Sequence, residues 1–217
     1  MLKLKRSSGN RFYKRLFLLS VEGSETEVEY FKRFNSRYVH VECLHERNKT
    51  SPKQVLVRLK SALAKRQMRD GDQAWVVIDR DDWKPEDIES VCSWVRSDGD
   101  NAMVKKGLAI SNPKFEFWLL LHFSDGSGNE TARACVEALK DHLPNYDKHL
   151  SPTDITNEGV AQAVQLARKL WGELSVQDWA RDCGKTSVFN LVEQILAAEQ
   201  EEQEKEMRAL ESAGEKA

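Results

Sequence analysis

Only 4 of the 217 residues are cysteine, and Cys43, Cys92, Cys135 and Cys183 stand far apart with no C-x-x-C pair. That spacing excludes a disulfide framework and a cysteine-built zinc knuckle, so reduced thiols in a cytoplasmic setting are expected. Nothing at the start of the chain joins a charged lead to an apolar run and a small-residue cleavage site, and no secretory leader is expected. Long apolar runs are missing as well: the stretch at residues 115–123 carries Glu116 and is far too short to span a bilayer. A soluble protein with no membrane partner is expected. Neither sign of charge dominates, with 33 Lys and Arg against 35 Asp and Glu, a net charge of -2 and a pI near 6.3. There is then no global basic field, and any contact with nucleic acid must come from local patches. Internal repeats are absent. So is a glycine-rich phosphate loop, which argues against nucleotide phosphotransfer.

What is present is enough apolar material for one sizeable core: 40% of the residues are hydrophobic and 31% charged. Residues 1–14 form a basic arm with Lys3, Lys5, Arg6, Arg11 and Lys14 and no acid, either solvated or available to a phosphate or partner. Residues 15–123 alternate strand and helix patterns. Strands are predicted at 16–21, 39–44, 73–78 and 105–110, with helices at 26–34, 52–68 and 85–95 between them. Ser24 is expected to cap the first helix, and Ser111 or Asn112 to cap a helix entered through Pro113. The alternation predicts an α/β fold with a mainly parallel sheet flanked by helices and with ligands at the carboxyl ends of its strands. From residue 124 the pattern is helical, expected to pack on the core, with a frayed, exposed end over residues 199–217.

The acids fall where predicted strands run out. Glu22 follows the apolar run at residues 16–21, and Asp79, Asp81 and Asp82 follow the run at residues 74–78. In a flavodoxin-like strand order the first and third strands are neighbours, which puts these ends about 5 Å apart. Asp79 and Asp81, two apart on an extended backbone, point the same way. Anions gathered so closely call for a compensating cation, and Mg²⁺ or Mn²⁺ with oxygen ligands is the expected one. Glu22, Asp79 and Asp81 suffice for one ion, and Asp82, Glu25, Glu27 or Glu116 could support a second. Acids also commonly decorate the turn after a strand, and spacing alone leaves that reading open. A glutamate after the first strand and D-x-D after the third is the Toprim arrangement. A haloacid-dehalogenase-like phosphatase would carry D-x-D after its first strand.

Four blocks carry a family resemblance: VEGSETEVEYF at residues 21–31, VIDRDD at 77–82, SNPKFEFWLLLHF at 111–123 and, more weakly, KTSVFNLV at 185–192. Over residues 15–195 the chain resembles the RloB-like proteins, which are restriction-linked bacterial proteins with a Toprim-like (Rossmann-like) domain. The resemblance implies a Mg²⁺-dependent nuclease-like component of antiphage defence, acting on DNA or RNA beside an ATPase of the AAA or SMC-like kind. Carried over by position, Glu22 would serve in acid/base work or metal binding, and Asp79 and Asp81 would hold the metal. The family often has Lys where this chain has Glu25, so a phosphate-binding cation becomes another anion here. A non-catalytic regulatory subunit of an ATPase-containing complex is the competing expectation. Homo-oligomerisation is a further possibility.

The other candidates are weighed on their neighbours. Phe115, Trp118, Leu119 and Phe123 read as core. Glu116, on a first helical turn, either reaches the metal cluster or complements the helix dipole. His122, between Leu121 and Phe123 and without an acid partner, reads as a core histidine. His45, in a polar loop with Arg47 and Lys49, could approach a phosphate. Lys148, near Tyr146, and Lys185 are cations that could fold back over the crevice, Lys148 being a candidate catalytic cation.

Overall fold

The computed structural model describes residues 13–80, 83–97, 104–172 and 183–214. The basic arm through residue 12 lies outside the described residues, and so do Asp81 and Asp82 of the expected metal ligands. The first strands and helices follow the predicted alternation: β1 (Arg15–Val21), α1 (Thr26–Lys32), β2 (Val39–Leu44), α2 (Pro52–Leu63), β3 (Gln73–Asp79), α3 (Pro85–Arg96) and β4 (Lys105–Asn112). Then come α4 (Phe115–Leu120), α5 (Ala132–His142), α6 (Asn157–Trp171), β5 (Lys185–Thr186) and α7 (Val188–Gly214).

The sheet runs β2-β1-β3-β4-β5, parallel except where β5 joins β4 antiparallel through Ser111↔Thr186 and Asn112↔Lys185. The central strands are apolar on both faces: Phe17, Leu18, Leu19 and Val21 of β1, and Ala74 to Ile78 of β3, are all buried. This double burial is what parallel sheets covered by helices require. Because β2 lies on one side of β1 and β3 on the other, the chain reverses its direction of travel between β1 and β3. A crevice opens at the carboxyl ends of those two strands.

The helices begin where the sequence supplies side-chain acceptors. Ser51 and Gln54 form a reciprocal capping box ahead of Pro52, Thr131 Oγ1 accepts from Ala134 N at 3.1 Å, and Thr156 Oγ1 accepts from Gly159 N at 3.0 Å. Two expected caps are corrected. α1 starts from Glu25 and not Ser24, and its entry is held by the Glu27 carboxylate accepting from Gly23 N at 2.9 Å. α4 starts at Phe115, with Lys114 at the cap position, because Ser111 and Asn112 are still in β4. The Ser111 hydroxyl meets Thr186 Oγ1 at 2.9 Å, and the two residues pair with a short strand that the helical pattern of the C-terminal half concealed.

The end expected to be frayed and exposed over residues 199–217 is exposed along residues 207–212, yet helical to residue 214 among the described residues. α7 runs to Gly214, and its first turns bury Val188, Leu191, Val192, Ile195 and Ala198. Farther along, Glu201 and Glu202 meet Arg15 at 2.8 and 2.7 Å, and Glu206 accepts from the Tyr38 hydroxyl at 2.5 Å. The charges that read as solvation are spaced to meet the amino-end side of β1 and β2. No helix among the described residues is long and apolar enough to cross a membrane.

Candidate functional site at the carboxyl ends of the strands

Glu22 leaves β1 and Asp79 ends β3, and the register that pairs Val21 with Val77 brings them together. The chain continues the ladder one step, with Glu22 N donating to Val77 O at 3.0 Å, and the Glu22 side chain then turns onto the neighbouring strand. Its Oε2 accepts from Asp79 N at 3.1 Å, and its Oε1 lies 3.4 Å from the Trp83 indole N–H. Glu22 and Asp79 line one cleft of ≈ 380 Å³ together with Glu27, Glu116, Lys114 and Lys148. Of the residues singled out from sequence, Glu22, Asp79, Glu116 and Lys148 are therefore brought to one place.

The floor of the cleft is fixed by aromatic packing. Tyr30 of α1 makes edge-to-face contacts with Phe115 and Trp118 of α4, at centroid separations of 5.5 and 6.1 Å. Phe115, Phe117, Trp118 and Leu119 are buried, as expected of core. The two helices hold Glu27 and Glu116 at 6% and 5% exposure, low values that carboxylates tolerate only with hydrogen bonds or cations at hand. Glu116 has both: the Tyr146 hydroxyl donates to Oε1 at 3.1 Å, and Lys114 Nζ stands 3.8 Å from Oε2. Burial pushes the Glu27 carboxyl up from its usual range and Glu116 adds to the rise, while backbone N–H groups and Lys148 oppose it.

Lys148 is carried by the segment after α5. Thr26 Oγ1 donates to the Lys148 carbonyl at 2.8 Å and meets the Tyr146 hydroxyl at 3.2 Å, so two residues of that segment are tied to the start of α1. Lys148 has φ 83, a left-handed conformation uncommon for a non-glycine residue, and its side chain lines the cleft. Arg47, from the loop after β2, closes another side and lies 4.0 Å from Glu25. Lys114, Thr26 and Trp83 escaped the sequence reading as parts of the site. Lys114 stood inside the SNPKFEFW block and could have been found by asking which cation faces Glu116.

Two histidines settle differently. His122 is buried, its Nε2 3.1 Å from the Tyr30 hydroxyl and its Nδ1 3.0 Å from the Trp118 carbonyl, and burial lowers its pKa to about 4. It is a neutral core histidine, as read. His45 lines a groove between β2 and α2 and is not among the residues lining the cleft of Glu22 and Asp79. Lys185 is in β5, opposite Asn112.

Among the described residues no set of three His, Cys, Asp or Glu side chains is arranged to hold a metal by itself. Mg²⁺ does not require such a set, because it binds through one or two carboxylates, waters and substrate phosphate oxygens. Glu22 and Asp79, with hard oxygen donors at adjacent strand ends in an open cleft, fit that requirement. No curated protein and no solved structure matches the chain. The family model described as RloB-like protein matches residues 17–195, a span that takes in β1 from Phe17 onward, strands β2 to β5 and every cleft residue described above. This chain belongs to the RloB-like protein family.

Proposed function

We propose that the chain is a divalent-metal-dependent phosphodiesterase of the Toprim type that cuts DNA or RNA, and that it acts in bacterial antiphage defence beside an ATPase of the AAA or SMC-like kind. The observation that carries the chemistry is the meeting of Glu22 and Asp79 across β1 and β3, in a cleft that also holds Lys114 and Lys148. The antiphage setting and the ATPase partner are part of the proposal, supported by what the resemblance to the RloB-like proteins implies.

In this reading Asp79 and Glu22 hold the ion, joined by Asp81 of the same D-x-D run. Bound Mg²⁺ or Mn²⁺ supplies activation of a water and neutralisation of the scissile phosphate. The chain's own groups do the rest. The Asp79 N–H on Oε2 and the Trp83 indole N–H 3.4 Å from Oε1 orient the Glu22 carboxylate, which would take a proton from the attacking water. Lys114 and Lys148 face the same cleft and stabilise the charge that builds on the non-bridging phosphate oxygens. Glu116 and Glu27 anchor those lysines electrostatically from beneath. Asp82 stands by sequence where a further oxygen ligand for the ion would be useful.

The test is cleavage of end-labelled single- and double-stranded DNA and RNA with Mg²⁺ or Mn²⁺, by the chain alone and with its ATPase partner. Asp79→Asn and Glu22→Gln should each lower the rate by about a thousandfold or more, with an unchanged melting temperature. Undiminished cutting by an Asp79→Asn, Asp81→Asn double variant would sink the proposal. Absence of any cutting by the wild-type protein, together with no Mg²⁺ binding by calorimetry, would favour the regulatory-subunit reading.

A further inference from the structure

The chain is slightly acidic overall, yet residues 47–69 hold Arg47, Lys49, Lys53, Arg58, Lys60, Lys65, Arg66 and Arg69 and no acid. A helix that merely needed a solvated face would mix signs, because i,i+4 pairs of opposite charge stabilise it. This segment forgoes them. Its residues also line a shaped surface: a groove of ≈ 710 Å³ runs between the exit of the edge strand β2 and one stripe of α2. Gln54, Val57, Arg58 and Ser61 form the helical wall, at the i, i+3/i+4 spacing of one face, and Lys65 and Arg66 extend it just past the end of α2. Cys43, Leu44, His45, Glu46 and Lys49 form the other wall.

Two cations in the groove are matched within the chain, Lys49 with Glu46 at 2.8 Å and Arg66 with Glu42 at 2.5 Å. Arg58 is structural, donating to Ser20 Oγ at 3.0 Å and to the Val21 carbonyl at 2.6 Å, which ties the groove floor to the residue before Glu22. The loop that walls the groove with His45, Glu46 and Lys49 also walls the acidic cleft with Arg47 and Thr50. Groove and cleft are thus two sides of one loop, basic on one side and carboxylate-rich on the other. No Phe, Tyr or Trp is among the groove's described lining residues, and His45 is its one aromatic ring there, so it offers no row of stacking platforms for successive bases.

We propose that this groove carries the phosphodiester backbone of a double-helical nucleic acid, sequence-independently, and delivers one strand over the Arg47 loop into the acidic cleft. The proposal rests on the phosphodiesterase reading for the use of that strand, but not for its binding. Backbone contacts position a duplex without reading its bases, and each phosphate neutralised makes affinity fall with salt. The chain thereby separates its tasks: cations flanking α2 at either end, Lys49 and Lys65, hold the polymer, and carboxylates at the sheet end act on it.

The experiment measures anisotropy of the full-length protein with labelled 20-base-pair DNA and RNA duplexes of two unrelated sequences, in EDTA, across a salt series. Lys49→Glu, Lys65→Glu should weaken binding about tenfold or more for both sequences and lower the log-affinity against log-salt slope by about two. Lys140→Glu, on α5 and not among the groove's lining residues, is a charge reversal elsewhere on the chain and should change affinity less than twofold. The DNA and RNA arms show which duplex is preferred. No binding by the wild type, a paired variant that binds like the wild type, or an equal loss in Lys140→Glu overturns the groove. Asp79→Asn separates the two readings, because it should lose cleavage and keep groove binding. Groove-dependent binding without cleavage by the wild type would leave this inference standing and the phosphodiesterase fallen.

Discussion

The two ends of the parallel sheet handle charge in different ways. At the amino end, carboxylates meet cations and hydroxyls directly: Arg15 bridges Glu201 and Glu202, Arg37 and Tyr38 converge on Glu206, and Asp72 accepts from the Tyr13 hydroxyl at 2.6 Å. At the carboxyl end, carboxylates gather beside one another and are held by backbone N–H and phenol donors, while Lys114 and Arg47 stand off at 3.8 and 4.0 Å. Closed pairs fasten α7 across the foot of β1 and β2. Glu116 and Glu25, with Lys114 and Arg47 at 3.8 and 4.0 Å, are paired more loosely than the acids of α7, and under the proposed function an incoming phosphate would share those cations.

Mild acid should separate the two ends most strongly. Behind the cleft, His122 is neutral, with Nδ1–H donating to the Trp118 carbonyl and Nε2 accepting from Tyr30. Burial holds its pKa at about 4, below the ordinary 6.5. The unfolded chain takes up a proton that the folded chain refuses, so this contribution is whole above pH 6.5, is lost as pH falls towards 4, and is constant below that. A shift of this size corresponds to about 3 kcal/mol. Burial pushes Glu202 up, but Lys205 and Arg15 outweigh it and hold the carboxyl below its usual range, so the amino-end pair persists to lower pH. Hydrogen exchange between pH 6.5 and 4.5 should show α1 and α4 opening before α7. In His122→Gln the pH slope of the urea midpoint over this window should flatten; a slope equal to that of the wild type would disprove the assignment.

Gly23 offers a way to break the carboxyl end alone. A Cβ there would lie 2.1 Å from Glu27 Oε2 and 2.6 Å from its Cδ, so Gly23→Ala must drive the buried carboxylate off the Gly23 N–H. Losing a buried, charge-assisted hydrogen bond costs about 2 kcal/mol. The melting temperature should drop accordingly, and cleavage should fall further than stability explains, because Glu27 lines the cleft. A Gly23→Ala protein with wild-type cleavage would remove Glu27 from the site.

Much of this arrangement is legible from residue order. The apolar runs ending in Glu22 and Asp79 placed two acids at neighbouring strand ends, since strand period and the β1–β3 adjacency leave little choice once the sheet is parallel. What stayed hidden depends on side chains reaching across the fold. Ser111 and Asn112 resembled a helix cap because the same small polar residues serve turns and caps, and only the two-residue strand at Lys185 shows that they continue β4. The acids of α7 looked like a solvated face because their partners, Arg15 and Tyr38, are more than 160 residues away. Lys114 and Thr26 enter the site through contacts with Glu116 and Tyr146, which no local pattern reports.

The amino end provides the smallest effect and the control for the others. Arg15 has only 15% of its side chain exposed and meets Glu201 and Glu202, exposed by 58% and 20%. Burial lowers the Arg15 pKa, but the two glutamates outweigh it and raise it on balance. Ion pairs so close to solvent are screened and constrain long side chains, so Arg15→Met, which keeps the apolar stem, should cost about 1 kcal/mol, or about 2–4 °C in melting temperature for a domain of this size. The gap between wild type and variant should narrow at high salt, because the Debye length shrinks to about 3 Å at 1 M. Cleavage should be unchanged, since Arg15 lies at the opposite end of β1 from Glu22. A loss of cleavage in Arg15→Met without a matching loss of stability would mean that α7 transmits strain along β1, and that the two ends of the sheet are not independent.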